Sequence, residues 1–226
     1  MIDFKNVTKV YGEKVVLKDA TLHIDDGEFV FIVGPTGAGK STLIKLISRE
    51  IEPDEGDIVV DGMVIDDLSN REIPPFRRQI GMVFQDFRLL PNLTVAENVA
   101  FAKEVVHSSK RTIKRMVPQL LAMVDIEDLS DKFPDEISGG EQQRVAIVRA
   151  IANNPKYIIA DEPTGNLDGE TAWAIMDLLE QIKKRGTTVV MVTHASDIVE
   201  KMHKRVITIQ SGRITSDVRP GGSSNV

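Results

Sequence analysis

Cysteine is absent from the 226-residue sequence. Its absence excludes disulfides and cysteine-ligated zinc, and fits a reducing compartment. A surplus of basic charge is also missing: 28 Lys and Arg against 34 Asp and Glu give a formal net charge of −6. A broad nucleic-acid-binding surface is therefore not expected. No apolar run approaches the ~18 residues of a membrane span. The start, Met1-Ile2-Asp3-Phe4-Lys5, lacks the basic stretch and apolar core of a signal peptide. These absences predict a cytosolic protein that meets a membrane only through a partner. Internal repeats are missing too, and the length and a hydrophobic content of 42% predict a single domain with an ample core.

What is present centres on Gly34-Pro35-Thr36-Gly37-Ala38-Gly39-Lys40-Ser41. The pattern is Gly, four residues, then Gly-Lys-Ser, the phosphate-binding P-loop. Phe29–Val33 before it has the length and composition of a buried strand, and Thr42–Ile47 after it opens a helix. In that context the glycines let backbone N–H groups turn around phosphate oxygens. The helix N-terminus adds a positive dipole end, and Lys40 adds a point charge for the outer phosphates. Ser41 can place its hydroxyl on Mg²⁺, so the motif predicts a nucleoside triphosphate with Mg²⁺ as its cofactors.

Around this loop the chain divides by pattern. Residues 2–33 alternate short apolar runs with turns, and Asp57–Val60 closes on Asp61-Gly62, predicting a small, mostly antiparallel sheet. Pro74-Pro75 is read as a break. Ile80–Phe84 reads as a second buried strand, ending on Gln85. From Asp86 to Asn154 the character is helical. Thr94 with Glu97 and Ser138 with Glu141 form capping boxes, and Pro118 is a candidate interruption in a helix over 111–124. Strands return at Tyr157–Ala160 and Thr187–Val192, separated by an amphipathic helix from Gly169 to Arg185. A hairpin follows across Ser211-Gly212, and 217–226 are read as a flexible tail. The result is an α/β fold: a P-loop NTPase core with a parallel sheet over 1–85 and 155–216, a small antiparallel β subdomain, and an inserted helical subdomain over 86–154.

A P-loop needs an acid, because Mg²⁺ prefers oxygen ligands and hydrolysis needs an oriented water. The strand Tyr157–Ala160 runs into Asp161 and Glu162. Asp161 is placed to hold Mg²⁺ and Glu162 to orient or deprotonate the water. An acidic turn after a strand is common by itself; after a P-loop the functional reading prevails.

At this point the chain resembles the nucleotide-binding subunits of ABC transporters, over nearly all its length. Ile137-Ser138-Gly139-Gly140-Glu141-Gln142 is similar to the family signature Leu-Ser-Gly-Gly-Gln, with Ile and Glu as departures. Neither departure replaces the serine and glycines that would contact phosphate. The resemblance implies that Gln85 links Mg²⁺ and water to the membrane partner, and that His194 contacts the γ-phosphate. It implies that Tyr11 stacks on adenine and that Asp168 ends the D-loop. The phosphates would lie against Gly34, Pro35, Thr36, Gly37, Ala38, Gly39, Lys40, Ser41 and Thr42. The subunits of such proteins form ATP-dependent head-to-tail homodimers around two ATP molecules. Ser138 and Gly140, with Gly139 and Glu141 beside them, would close the site of the other subunit.

One motif set, no fused span and no coiled-coil insertion exclude translation-type members and disfavour DNA-repair members. A base-specificity motif such as Asn-Lys-x-Asp is missing, which argues against a GTPase. Within the family, Gly34–Lys40, Val83–Leu90 and the short C-terminus resemble the cell-division ATPases of FtsE type. Those work with an FtsX-like integral membrane protein, at the cytoplasmic side of the cell membrane, to control peptidoglycan hydrolases. Glu162–Asp168 is shared with ATPases of lipoprotein release and efflux, which remain the alternative. Leu89, Leu90, Pro91 and Leu93 are read as either a grip for the partner or local core.

Overall fold

A computed structural model describes residues 1–220. Two sheets organise it. The first is antiparallel, in the order β2 (Lys14–Ile24), β1 (Ile2–Tyr11), β4 (Glu55–Val60), β5 (Met63–Val64). The second has the order β10 (Arg213–Val218), β9 (Arg205–Gln210), β3 (Phe29–Val33), β8 (Thr188–Val192), β7 (Tyr157–Asp161), β6 (Ile80–Phe84). From β9 to β6 every neighbouring pair is parallel, and only β10 runs antiparallel, against β9.

The central strands are buried on both sides, which is why they read as continuous apolar runs. Alternation along β3 divides the core. Phe29 and Phe31 face a cluster with helices α3 (Val95–Val105), α4 (Lys110–Ala122), α5 (Gly139–Ile151) and α6 (Gly169–Lys184). Val30 and Ile32 face the antiparallel sheet and α1 (Lys40–Ile47). Two short helices, α2 (Ile73–Arg77) and α7 (Ser196–Met202), complete the set.

Three readings change. Pro74 and Pro75 do not break the chain; they occupy the first turn of α2, where a missing N–H costs nothing and the fixed φ suits a helix. Pro118 lies inside α4 without ending it. Residues 217 and 218 are not tail. Val218 pairs with Val206, and Asp217 with Glu28 holds the buried Arg205 guanidinium at 2.6 and 2.8 Å. That triad fixes the terminal hairpin to the start of β3. Only the final six positions of the expected tail, 221–226, lie outside the described residues.

Candidate functional site

Parallel strands bring their carboxyl ends to one edge, where the crevice of an open α/β sheet lies. Register fixes what meets there. Ile32 pairs with Val192, Val192 with Asp161, and Asp161 with Phe84. The residues that follow these partners therefore converge: Gly34, Thr193 and His194, Glu162, and Gln85. Of these, Gln85 and Glu162 border a cavity of about 730 Å³, lined also by Tyr11, Thr36, Gly37, Gly39, Lys40, Ser41, Thr42 and Asp161 among others; Gly34, Pro35, Ala38 and His194 are not part of its lining.

The loop from Gly34 to Gly39 is shaped by backbone that other residues resist. Gly34 has φ 149°, and a Cβ there would lie 2.0 Å from the Ile209 carbonyl oxygen. Gly39 has φ 109°, and its Cβ would meet the Val16 oxygen at 2.7 Å. Gly34→Ala should therefore cost about 3 kcal/mol or more, since the obstacle is rigid backbone. Urea denaturation checks this; a midpoint equal to wild type would contradict the packing. Lys40 folds back over the loop, donating from Nζ to the carbonyls of Gly34 at 2.7 Å and Pro35 at 3.1 Å. Ala38 turns away from the cavity: its methyl is in the core, and its N–H donates to Pro35.

Glu162 sits in the left-handed region, φ 50°, a conformation costly for a residue with a side chain. Its N–H donates to Val192, and its carboxylate is held twice by His194, from Nδ1 at 2.8 Å and from the backbone N–H at 3.2 Å. Next to it, burial and then the Glu162 charge push the Asp161 carboxyl above its ordinary pKa, while Lys40 pulls it down. A half-buried acid beside another acid is a place that favours a cation. No group of three or more His, Cys, Asp or Glu is placed to hold a metal among the described residues. Ser41, Gln85 and Asp161 fit Mg²⁺ that takes its other oxygens from phosphate and water. Gln85 is anchored by a reciprocal pair: its Nε2 donates to Asn166 Oδ1, and Asn166 Nδ2 donates to the Gln85 carbonyl, both at 3.1 Å.

The signature residues Ser138, Gly139, Gly140 and Glu141 are not part of this cavity lining, nor is Asp168. Ser138 caps α5, and Glu141 reaches back to accept from Ser138 N and Oγ, both at 2.7 Å. The Glu at this position thus closes the expected capping box, the third residue of the helix returning over its cap. Behind the cap, Gly140 leaves no room for a Cβ beside Thr171, whose N–H and hydroxyl are held by Asp168. Buried Gln143 donates to the Pro163 carbonyl at 2.7 Å. The signature helix is therefore fastened to the loop that follows Glu162.

Lys14, Val16, Phe84, Asp86, Arg88, Asn166 and Val192 also line the cavity. Sequence reasoning assigned them no role. Gln85 and Asn166 are 81 residues apart, and no spacing rule connects them.

Comparison with known proteins identifies the family. A family model described as ABC transporter matches residues 17–165. The chain is 52% identical to the cell division ATP-binding protein FtsE of Bacillus subtilis, covering 98% of this chain and 97% of that protein. It is 48% identical to the protein of the same name from Mycobacterium tuberculosis, over 98% and 97% respectively. Among solved structures, a dimeric ATP-binding cassette in a post-hydrolysis state, bound to ADP and Pi, superposes with a TM-score of 0.89 at 39% identity. That match covers 99% of this chain and all of the other.

Proposed function

Because this chain belongs to the ABC transporter ATPase family, we propose that it binds Mg·ATP in the cavity described above and hydrolyses it. In this reading it is the motor subunit of a cell-division complex, and an FtsX-like membrane protein is its partner. The observation that carries the reading is the meeting of Lys40, Asp161, Glu162 and His194 at adjacent strand ends, with Glu162 held at 2.8 Å by His194.

Each residue then has a task. Tyr11, 45% exposed at the cavity edge, stacks on the base. Lys40 exchanges its loop carbonyls for phosphate oxygens, and the loop N–H groups hold the rest. Ser41, Gln85 and Asp161 hold Mg²⁺, which supplies charge neutralisation to the phosphates. The Glu162 carboxylate accepts a proton from the attacking water as its oxygen bonds to the γ-phosphorus and the bond to ADP breaks. His194, 71% exposed, positions that carboxylate and reaches the γ-phosphate. Ser138 and Gly140 of a second copy complete the cage, excluding water and strengthening every charge inside it. Hydrolysis weakens that contact, and the opening is the mechanical output at the cytoplasmic face of the membrane.

The partner surface is proposed on the helical subdomain. Asn98 ties the segment before α3 by bonds to Leu90, Leu93 and Thr94, while Leu89 packs on the core. Phe101 and Val105 on α3, and Phe133 further along the subdomain, are left exposed. Affinity purification from native membranes, with identification of the membrane protein retained, tests the assignment. An FtsX-like protein is expected; a lipoprotein-release or efflux permease would redirect the assignment. Phe101→Asp combined with Val105→Asp should abolish that co-purification while leaving ATP affinity unchanged. Retention of the partner would put the interface elsewhere.

A further inference from the structure

Beyond this reading, and resting on it, we propose that Arg88 contacts the terminal phosphate of bound ATP as a second cation besides Lys40, and that Arg149 positions it. Arg88 lines the same cavity as Lys40, Ser41, Asp161 and Glu162. Its guanidinium carbon lies 3.7 Å from the centroid of the Phe84 ring. Phe84 is the register partner of Asp161, so stacking holds this cation beside the strand end from which the two acids emerge. Arg88 Nε bonds Asp86 at 3.2 Å, and its terminal nitrogens make no hydrogen bond among the described residues. Those nitrogens form the planar fork that suits phosphate.

The backbone beneath is built for this presentation. Phe87 and Arg88 are consecutive left-handed residues, φ 57° and 48°, and neither is glycine. Such strain persists only where surrounding structure enforces it, and it clusters at functional sites. Here the enforcing group is Arg149 on α5. It donates from Nη2 to the Phe87 carbonyl at 2.8 Å and from Nη1 to the Arg88 carbonyl. No carboxylate pairs with this half-buried guanidinium among the described residues, and burial lowers its pKa. A cation withdrawn from water to hold two carbonyls of a strained turn is a specific support. It also joins the signature helix to the turn after Gln85.

The test is calorimetric titration of the full chain with Mg·ATPγS and Mg·ADP, comparing wild type with R88A, R88K and R149M. R88A should weaken ATPγS binding about tenfold, the loss of one charge-assisted contact, and leave ADP within about twofold. R88K should recover part of the difference. R149M, with Arg88 intact, should show the same selective loss, which a general loss of stability would not produce. If R149M does not fold, the two Arg88 variants carry the test. ATPγS affinity unchanged in R88A, or equal losses for both nucleotides, would overturn the proposal. So would loss of the membrane partner with an unchanged nucleotide ratio, which assigns Arg88 to docking. Wild type binding neither nucleotide would instead overturn the ATP-site reading itself.

Discussion

Glu162→Gln should lower ATP turnover by roughly 10²–10⁴-fold, the usual loss when a general base is removed, while ATP affinity stays within a few-fold of wild type. The amide keeps the shape that His194 now grips through Nδ1 and its backbone N–H. It cannot take the proton of the attacking water. Binding is spared because, in the proposed reading, the triphosphate is held by the loop and Lys40 and not by Glu162. The trapped species should be an ATP-bound homodimer, because the step that loosens it no longer occurs. Steady-state phosphate release and nucleotide titration check the two halves of this result. Normal turnover in the variant would remove Glu162 from the chemistry and leave its φ of 50° without a catalytic reason.

Lys40→Ala should weaken ATP binding by about 100-fold, equivalent to roughly 2.7 kcal/mol, the scale of one or two charge-assisted bonds. The free protein already shows what this ammonium seeks: two backbone oxygens, of Gly34 and Pro35, at 2.7 and 3.1 Å. Phosphate oxygens carry full charge and are better acceptors than these carbonyls, so nucleotide draws Lys40 from them. Calorimetric titration reads the loss, and thermal unfolding shows whether the loop survives without its tether. Unchanged affinity in a folded variant would contradict the loop as the phosphate site.

Those two residues were legible in the sequence because each follows a buried strand of recognisable length. Val33 leads into the glycine loop, Ala160 into Asp161 and Glu162, and Thr193 into His194. Apolar runs of this length between turns mark strands buried on both faces, and a parallel sheet brings their ends together. The capping boxes at Thr94 and Ser138 were equally plain, since the three-residue spacing is itself the geometry.

Other features depend on contacts that no local pattern carries. Asp217 looked like tail until the fold set Arg205 beside it. Pro74-Pro75 reads as a break in the sequence, and the fold instead places both in the first turn of a helix that buries Phe76. Arg88 sits among residues that serve as well for a surface turn. Its significance appears only when Arg149, 61 residues later, closes on its carbonyl.

The central claim is that Gly34–Ser41, Asp161, Glu162 and His194 are half of a site that a second copy completes. The most direct measurement is the mass of the Glu162→Gln chain by size-exclusion chromatography with light scattering, in saturating Mg·ATP and in Mg·ADP. The chain weighs 25.0 kDa. The account predicts twice that mass with ATP, and the single-chain mass with ADP or when Gly139→Asp, at a position with room for a side chain, is added to block the signature face. A single-chain mass in ATP, with nucleotide bound, would contradict it.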